Sequence, residues 1–183
     1  MNTLTKGERQ SNFFDICKQC EADLICCRNA NPPISFERKK IIEGYLKAKK
    51  IVVENPFTYS AYASPKADDE GYCIFHDKET GKCTIHPVKP ETCVAGPITF
   101  DINMNSQKIE WYIKKEKICP LAGKLYKNKE ALRQHLGSAK EEIKRLIREL
   151  DSKALKNILK IEEPETFKIG GDYIEKRILD KIE

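Results

Sequence analysis

Eight cysteines, at positions 17, 20, 26, 27, 73, 83, 93 and 119, constrain this chain more than any other feature. None lies beyond position 119, so the last third of the 183 residues must fold without thiols. Small disulfide scaffolds carry cysteines more densely and follow a secretory leader. Here the stretch 1–10 is polar, with Lys6, Glu8 and Arg9 and no apolar segment. The expectation is a cytoplasmic protein in a reducing compartment, whose thiols hold metal rather than cross-link. No segment approaches about 18 uncharged apolar residues, so a membrane-spanning helix is not expected.

The thiol-free remainder has the composition to fold. Apolar residues make up 40% of the chain and charged residues 33%, enough for a core and against wholesale disorder. The net charge is +5 and is unevenly placed. Between Lys114 and Lys160 there are 14 Lys and Arg against 6 Asp and Glu, giving +8, and the rest is slightly acidic.

Local patterns divide the chain at about residue 125. Residues 13–28 have too many irregularly spaced cysteines for a simple amphipathic helix. Asn29 to Pro33 reads as a loop, and Ser35 as the N-cap of a helix running to about Lys50. Phe36, Ile41, Ile42, Tyr45 and Leu46 give that helix a partial apolar stripe. Residues 72–76 and 82–86 read as two short strands around a Thr80-Gly81 turn. A second hairpin follows, with Ile98, Phe100 and Ile102 alternating on one arm and Ile109, Trp111 and Ile113 on the other. Beyond it, Ser138 and Glu141 fit a capping box. Ile143, Leu146, Ile147 and Leu150 then form a helical stripe. Leu155, Ile158 and Leu159 continue it, Pro164 breaks it, and Gly170-Gly171 precedes a last short helix with Ile174, Ile178 and Leu179. The expected fold is α+β: a small irregular metal-stabilised domain with two short β-hairpins over 1–125, and a helical C-terminal extension over 126–183 packed on it.

The chemistry lies in the cysteines. Cys17-x-x-Cys20 lets one turn bring two sulfurs to one metal or cluster. A thioredoxin-like pair would need a βαβ context, which is missing. Cys26 and Cys27 are neighbours, and on an extended segment their side chains diverge. One of them then serves a second centre or packs as a buried thiol. Cys73 and Cys83 fall on the first pair of strands, Cys93 follows Pro90, and Cys119 precedes Pro120. Eight thiols suffice for two tetrathiolate sites, and the spacing leaves their division open. His76 and His86 each lie three residues after a cysteine, which on a strand turns them away from it. His135 is expected to be an exposed helix residue. The basic face of Lys140, Lys144, Arg145 and Arg148 reads as a solvated face rather than a nucleic-acid site.

These residues resemble a known family. Cys17-x-x-Cys20-x5-Cys26-Cys27 looks like the opening of the YkgJ-type cysteine-cluster proteins, described as zinc- or iron-chelating domains. The run Cys73-Ile74-Phe75, then Cys83-Thr84-Ile85-His86-Pro87-Val88-Lys89-Pro90-Glu91-Thr92-Cys93-Val94-Ala95-Gly96-Pro97, then Cys119-Pro120, is similar to the family's middle and end. Four positions depart: His86 and Gly96 stand for aromatic residues, and Lys89 and Val94 for arginines. The resemblance covers roughly residues 12–121. It implies a metal held by Cys17, Cys20, Cys26, Cys27, Cys73, Cys83, Cys93 and Cys119. A related cysteine cluster in flagellin lysine methylases implies iron–sulfur-assisted methyl transfer in some members. The expected function is therefore one or two iron–sulfur clusters, 4Fe–4S among the choices, in a redox or cluster-assisted role. The partner would be a protein or small molecule, with no membrane. The alternative is a non-catalytic zinc module whose basic helices bind a protein or nucleic acid.

Overall fold

The computed structural model describes residues 25–163 and 165–183. Cys17, Cys20 and most of the irregular stretch 13–28 lie outside them, as does the break at Pro164.

The first long helix, α1 (Phe36–Lys49), starts where the sequence places it. The Arg38 N–H donates to the Ser35 hydroxyl at 3.1 Å, a cap that contributes about 1 kcal/mol. Lys50, left-handed at φ 56°, ends the helix. Arg38, Ile42 and Leu46 face inward, while Phe36 and Ile41 are exposed, so the buried stripe is narrower than the sequence suggests. With Ile34, Phe57, Phe75 and Ile85, Ile42 and Leu46 form a small core.

Two short antiparallel pairs follow. Strands β1 (Phe57–Tyr59) and β2 (Ala63–Pro65) pair Phe57 with Pro65. Strands β3 (His76–Asp77) and β4 (Lys82–Cys83) are shorter than expected, two residues each. Their turn is held by the Asp77 carboxylate, which accepts from the N–H groups of Glu79 and Thr80 and from the Thr80 hydroxyl. A 3₁₀ turn over His86–Val88 leads to the short helix α2 (Glu91–Ala95).

The second hairpin, β5 (Ile98–Asn103) and β6 (Lys108–Lys114), forms in the register the alternation demands, with Ile98 opposite Ile113, Phe100 opposite Trp111 and Ile102 opposite Ile109. A third strand, β7 (Thr166–Tyr173), pairs antiparallel with β6. The sequence reading takes Gly170-Gly171 as punctuation before a helix. In the structure both glycines are strand residues, opposite Trp111 and Glu110. A Cβ on Gly171 would sit 3.3 Å from the Ile109 carbonyl, so the close approach favours glycine.

Helices α3 (Pro120–Lys127), α4 (Lys129–Glu149), α5 (Ser152–Ile158) and α6 (Lys176–Ile182) share a second, larger core with this sheet. Ile143, Leu146, Ile147 and Leu150 are all buried there, beside Trp111, which is 0% exposed. The capping-box expectation is corrected: Ser138 lies inside α4, and its hydroxyl faces the Gln134 carbonyl. The N-cap is Asn128, whose Oδ1 accepts from the Ala131 N–H at 3.0 Å. Helix α4 starts earlier because Asn128 caps it and Ala131, Leu132 and Leu136 extend the apolar face.

The basic face of α4 meets acids from its own chain. Lys140 and Lys144 lie 3.0 and 3.6 Å from Asp172 of β7, and Arg148 lies 2.6 Å from Glu175. Burial pushes the Asp172 carboxyl up, but hydrogen bonds from Lys140 and the Trp111 ring N–H bring it below the ordinary range. Between the two cores, the Arg38 guanidinium contacts Glu142 of α4 and lies 3.9 Å from the fully buried Glu91 of α2. Among the described residues no helix is long and apolar enough to cross a membrane.

Candidate metal centre

Cys26 and Cys27 sit on one 3₁₀ turn, Ile25–Cys27, rather than on an extended segment. The expectation of an extended pair is corrected to a helical turn, on which the two thiols interact. The Cys27 thiol donates to Cys26, which lowers Cys26 to about 6 and raises Cys27. Cys26 is therefore the more readily ionised thiol of the pair.

The backbone then delivers the next cysteine. The Cys73 N–H donates to the Cys27 carbonyl at 2.8 Å, and Arg28 bridges to Tyr72. The Asn29 N–H donates to the Gly71 carbonyl at 2.7 Å. Gly71, at φ 84°, has the Asn29 side chain 2.3 Å from where a Cβ would lie, so this crossing needs glycine. Cys73 pairs with Ala67 in an isolated bridge rather than on a strand. Cys83 lies on β4 and Cys93 in α2, whose other side packs on α4.

These turns bring five thiols into electrostatic reach of one another. Cys93 feels Cys26, Cys73 and Cys83, and Cys27 feels Cys83 and Cys93. Burial pushes Cys73 up to about 11 and raises Cys93 further. Cys26, Cys27, Cys73 and Cys93 form no disulfide. Cys119 caps α3 just before Pro120 and packs against the larger core. Among the described residues no three Cys, His, Asp or Glu side chains converge tightly enough to hold a metal ion. Cys17 and Cys20 belong to the expected set and lie outside those residues. As a donor set the gathered thiols are soft and suited to zinc or iron, with Cys26 exposed and the others partly exposed.

The histidines take different places. His76 stacks on Tyr72, with ring centroids 4.9 Å apart. His86 is buried. His135 is buried too, at 6% exposure, against the expectation of an exposed helix residue. Its Nε2–H donates to the carbonyls of Ala95 and Gly96 at 3.0 and 3.1 Å, tying α4 to the end of the Cys93 helix. The sequence hides this contact because α2 reaches α4 only through the tertiary fold.

Burial is the largest influence on His135 and lowers it below its ordinary 6.5, so the ring is neutral in the folded state. The unfolded chain then binds the extra proton first, and stability falls as pH drops below 6.5. His135→Gln is expected to flatten that acid loss, read as urea midpoints at pH 7.5 and 5.5. An unchanged slope would count against the assignment.

Lys89, noted in the sequence only as standing for an arginine, is a buried charge. It is only 5% exposed and lies within electrostatic reach of Cys26, Cys93 and His135.

Fold and site together define a cysteine-cluster protein of the α+β class, with thiol-bearing turns beside one small core and a sheet-and-helix body on the other. The chain belongs to the CxxCxxCC family, "Putative zinc- or iron-chelating domain", whose model matches residues 16–120. This is the family that includes the YkgJ-type proteins. Comparison with curated proteins and with solved structures finds no match.

Proposed function

We propose that this protein holds iron, as one or two iron–sulfur clusters, through thiolates drawn from Cys17, Cys20, Cys26, Cys27, Cys73, Cys83, Cys93 and Cys119. The observation that carries this reading is the gathering of Cys26, Cys27, Cys73, Cys83 and Cys93 from four separate backbone segments. Drawing five soft thiols together serves no packing purpose that apolar residues would not serve better. A bound cluster would supply redox chemistry or activate a substrate for group transfer such as methyl transfer. The chain's part is to aim the thiols and to shield them with Phe75 and Ile85, in the core against which Cys73 and Cys83 pack. The partner of that step is a protein or small molecule.

A second reading has its own support. Strands β3 and β4 pair only two residues each, too few to hold the Cys73–Cys83 turn without a staple. A zinc ion would supply it without catalysis. Anaerobic purification with metal analysis and a visible spectrum separates the two. Iron with broad absorption toward the blue is the expected result, and a colourless protein with stoichiometric zinc would replace it with the second reading.

A further inference from the structure

We infer that His76 is a nitrogen ligand of the cysteine centre, bound beside Cys83. The inference rests on the metal reading above and adds a donor from outside the thiol set.

The placement comes from the backbone. On a strand, His76 would turn away from Cys73, three residues earlier. Here Cys73 to His76 is a tight turn instead, closed by the His76 N–H donating to the Cys73 carbonyl at 2.7 Å. Such a turn brings its first and last residues within about 7 Å at Cα. His76 then opens β3 directly opposite Cys83 of β4. The Thr84 N–H donates to the Phe75 carbonyl at 2.8 Å, so the ladder bonds flank the His76–Cys83 pair rather than join it. That is the closer kind of antiparallel pair, with both side chains on one face and Cβ atoms about 4.5–5.5 Å apart. The imidazole that follows Cys73 thus lies next to a second cysteine across the ladder.

The ring is held in place and its nitrogens are unused. It stacks on Tyr72 with centroids 4.9 Å apart and 17° between the planes. Tyr72 is itself fixed, its N–H donating to the Asp68 carboxylate at 2.8 Å. His76 is half-buried, yet Nδ1 and Nε2 are both shielded from solvent, and among the described residues neither has a hydrogen-bond partner. The adjacent carboxylate, Asp77, is committed to Glu79 and Thr80. Each imidazole nitrogen presents a lone pair or an N–H, and burying both unmet is costly. A metal ion takes up one such lone pair, and imidazole together with thiolate suits zinc and iron. A neutral nitrogen in place of a thiolate also makes the centre less negative, which in an iron–sulfur cluster raises the reduction potential.

The probe is cobalt(II), titrated without oxygen into the reduced full-length chain, because its visible bands move to shorter wavelength when nitrogen replaces sulfur. The wild type should give the bands of a mixed sulfur–nitrogen site. His76→Cys keeps a donor and should still bind cobalt, with its bands moved to longer wavelength. His76→Phe keeps a flat ring on Tyr72 but loses the nitrogens. It should bind cobalt more weakly by at least the roughly tenfold to a hundredfold that losing a ligand's own partner costs. A stacking role would give the opposite order, with His76→Phe like the wild type and His76→Cys impaired. Wild-type affinity and bands in His76→Phe would overturn the inference and leave the metal reading intact. Should that variant not fold, bands that stay in place in His76→Cys would overturn it equally. A wild-type chain that takes up neither cobalt nor ferrous iron would overturn both.

Discussion

Stripping the metal with a chelator, or replacing Cys83 or Cys93 by serine, is expected to unfold the cysteine-bearing half of the protein. The reason lies in how little else holds that half. Among the described residues its core is six buried apolar side chains, Ile34, Ile42, Leu46, Phe57, Phe75 and Ile85. Its strands β1 to β4 are two or three residues long. Such ladders are marginal in water without further support. For structural zinc the binding free energy is on the order of 10 kcal/mol, and it appears as folding free energy because the unfolded chain offers no preformed site. Serine keeps the size of cysteine but loses the soft thiolate, so Cys93→Ser removes a proposed ligand with little change in volume. Thermal melting followed by circular dichroism, with and without chelator, reads the effect. The sheet and the helices α3 to α6 share the separate larger core and should melt later. A metal-free protein melting in one step at an unchanged temperature would refute the idea.

What could be read from the sequence was what depends on neighbours along the chain. Ser35 caps α1 because a hydroxyl and an amide three residues apart settle the matter locally. The β5–β6 hairpin follows from period-two alternation on either side of a polar turn. The spacing of the cysteines was enough to place the family. What could not be read depends on pairing across distance. Strand β7 hides behind Gly170-Gly171, a loop signal in isolation, and becomes a strand only because β6 offers it an open edge. Ser138 and Glu141 form a convincing local cap, yet Asn128 nucleates the helix earlier and packing carries it through. His135 looked solvated because nothing nearby in sequence shows that α2 will lie against it. At the site the cysteines stood out by their spacing, but neither the contact between Cys26 and Cys27 nor the burial of Lys89 could be foreseen. The first depends on a 3₁₀ turn replacing an extended segment, and the second on segments far apart in the chain.

The helical stripe of α4 leads to the other large effect. Leu146 is 0% exposed and belongs to the same core as Trp111, Ile143 and Leu155. Leu146→Ala leaves a cavity and should cost about 2–5 kcal/mol. Leu146→Asp adds the desolvation of a carboxyl with no partner in that core and should cost more, enough to exhaust the stability of a domain this size. Arg145, its exposed neighbour, has a guanidinium 3.5 Å from Glu142. Its replacement by alanine should change stability by no more than about 0.5–1 kcal/mol, since such surface pairs contribute little. Urea midpoints of the three variants measure the series, and light scattering checks size. The stripe packs on the sheet and helices of its own chain, so the loss should appear as lower stability. Wild-type stability with a change only in particle size would mean that Leu146 faces a second copy, and the packing described here would be wrong.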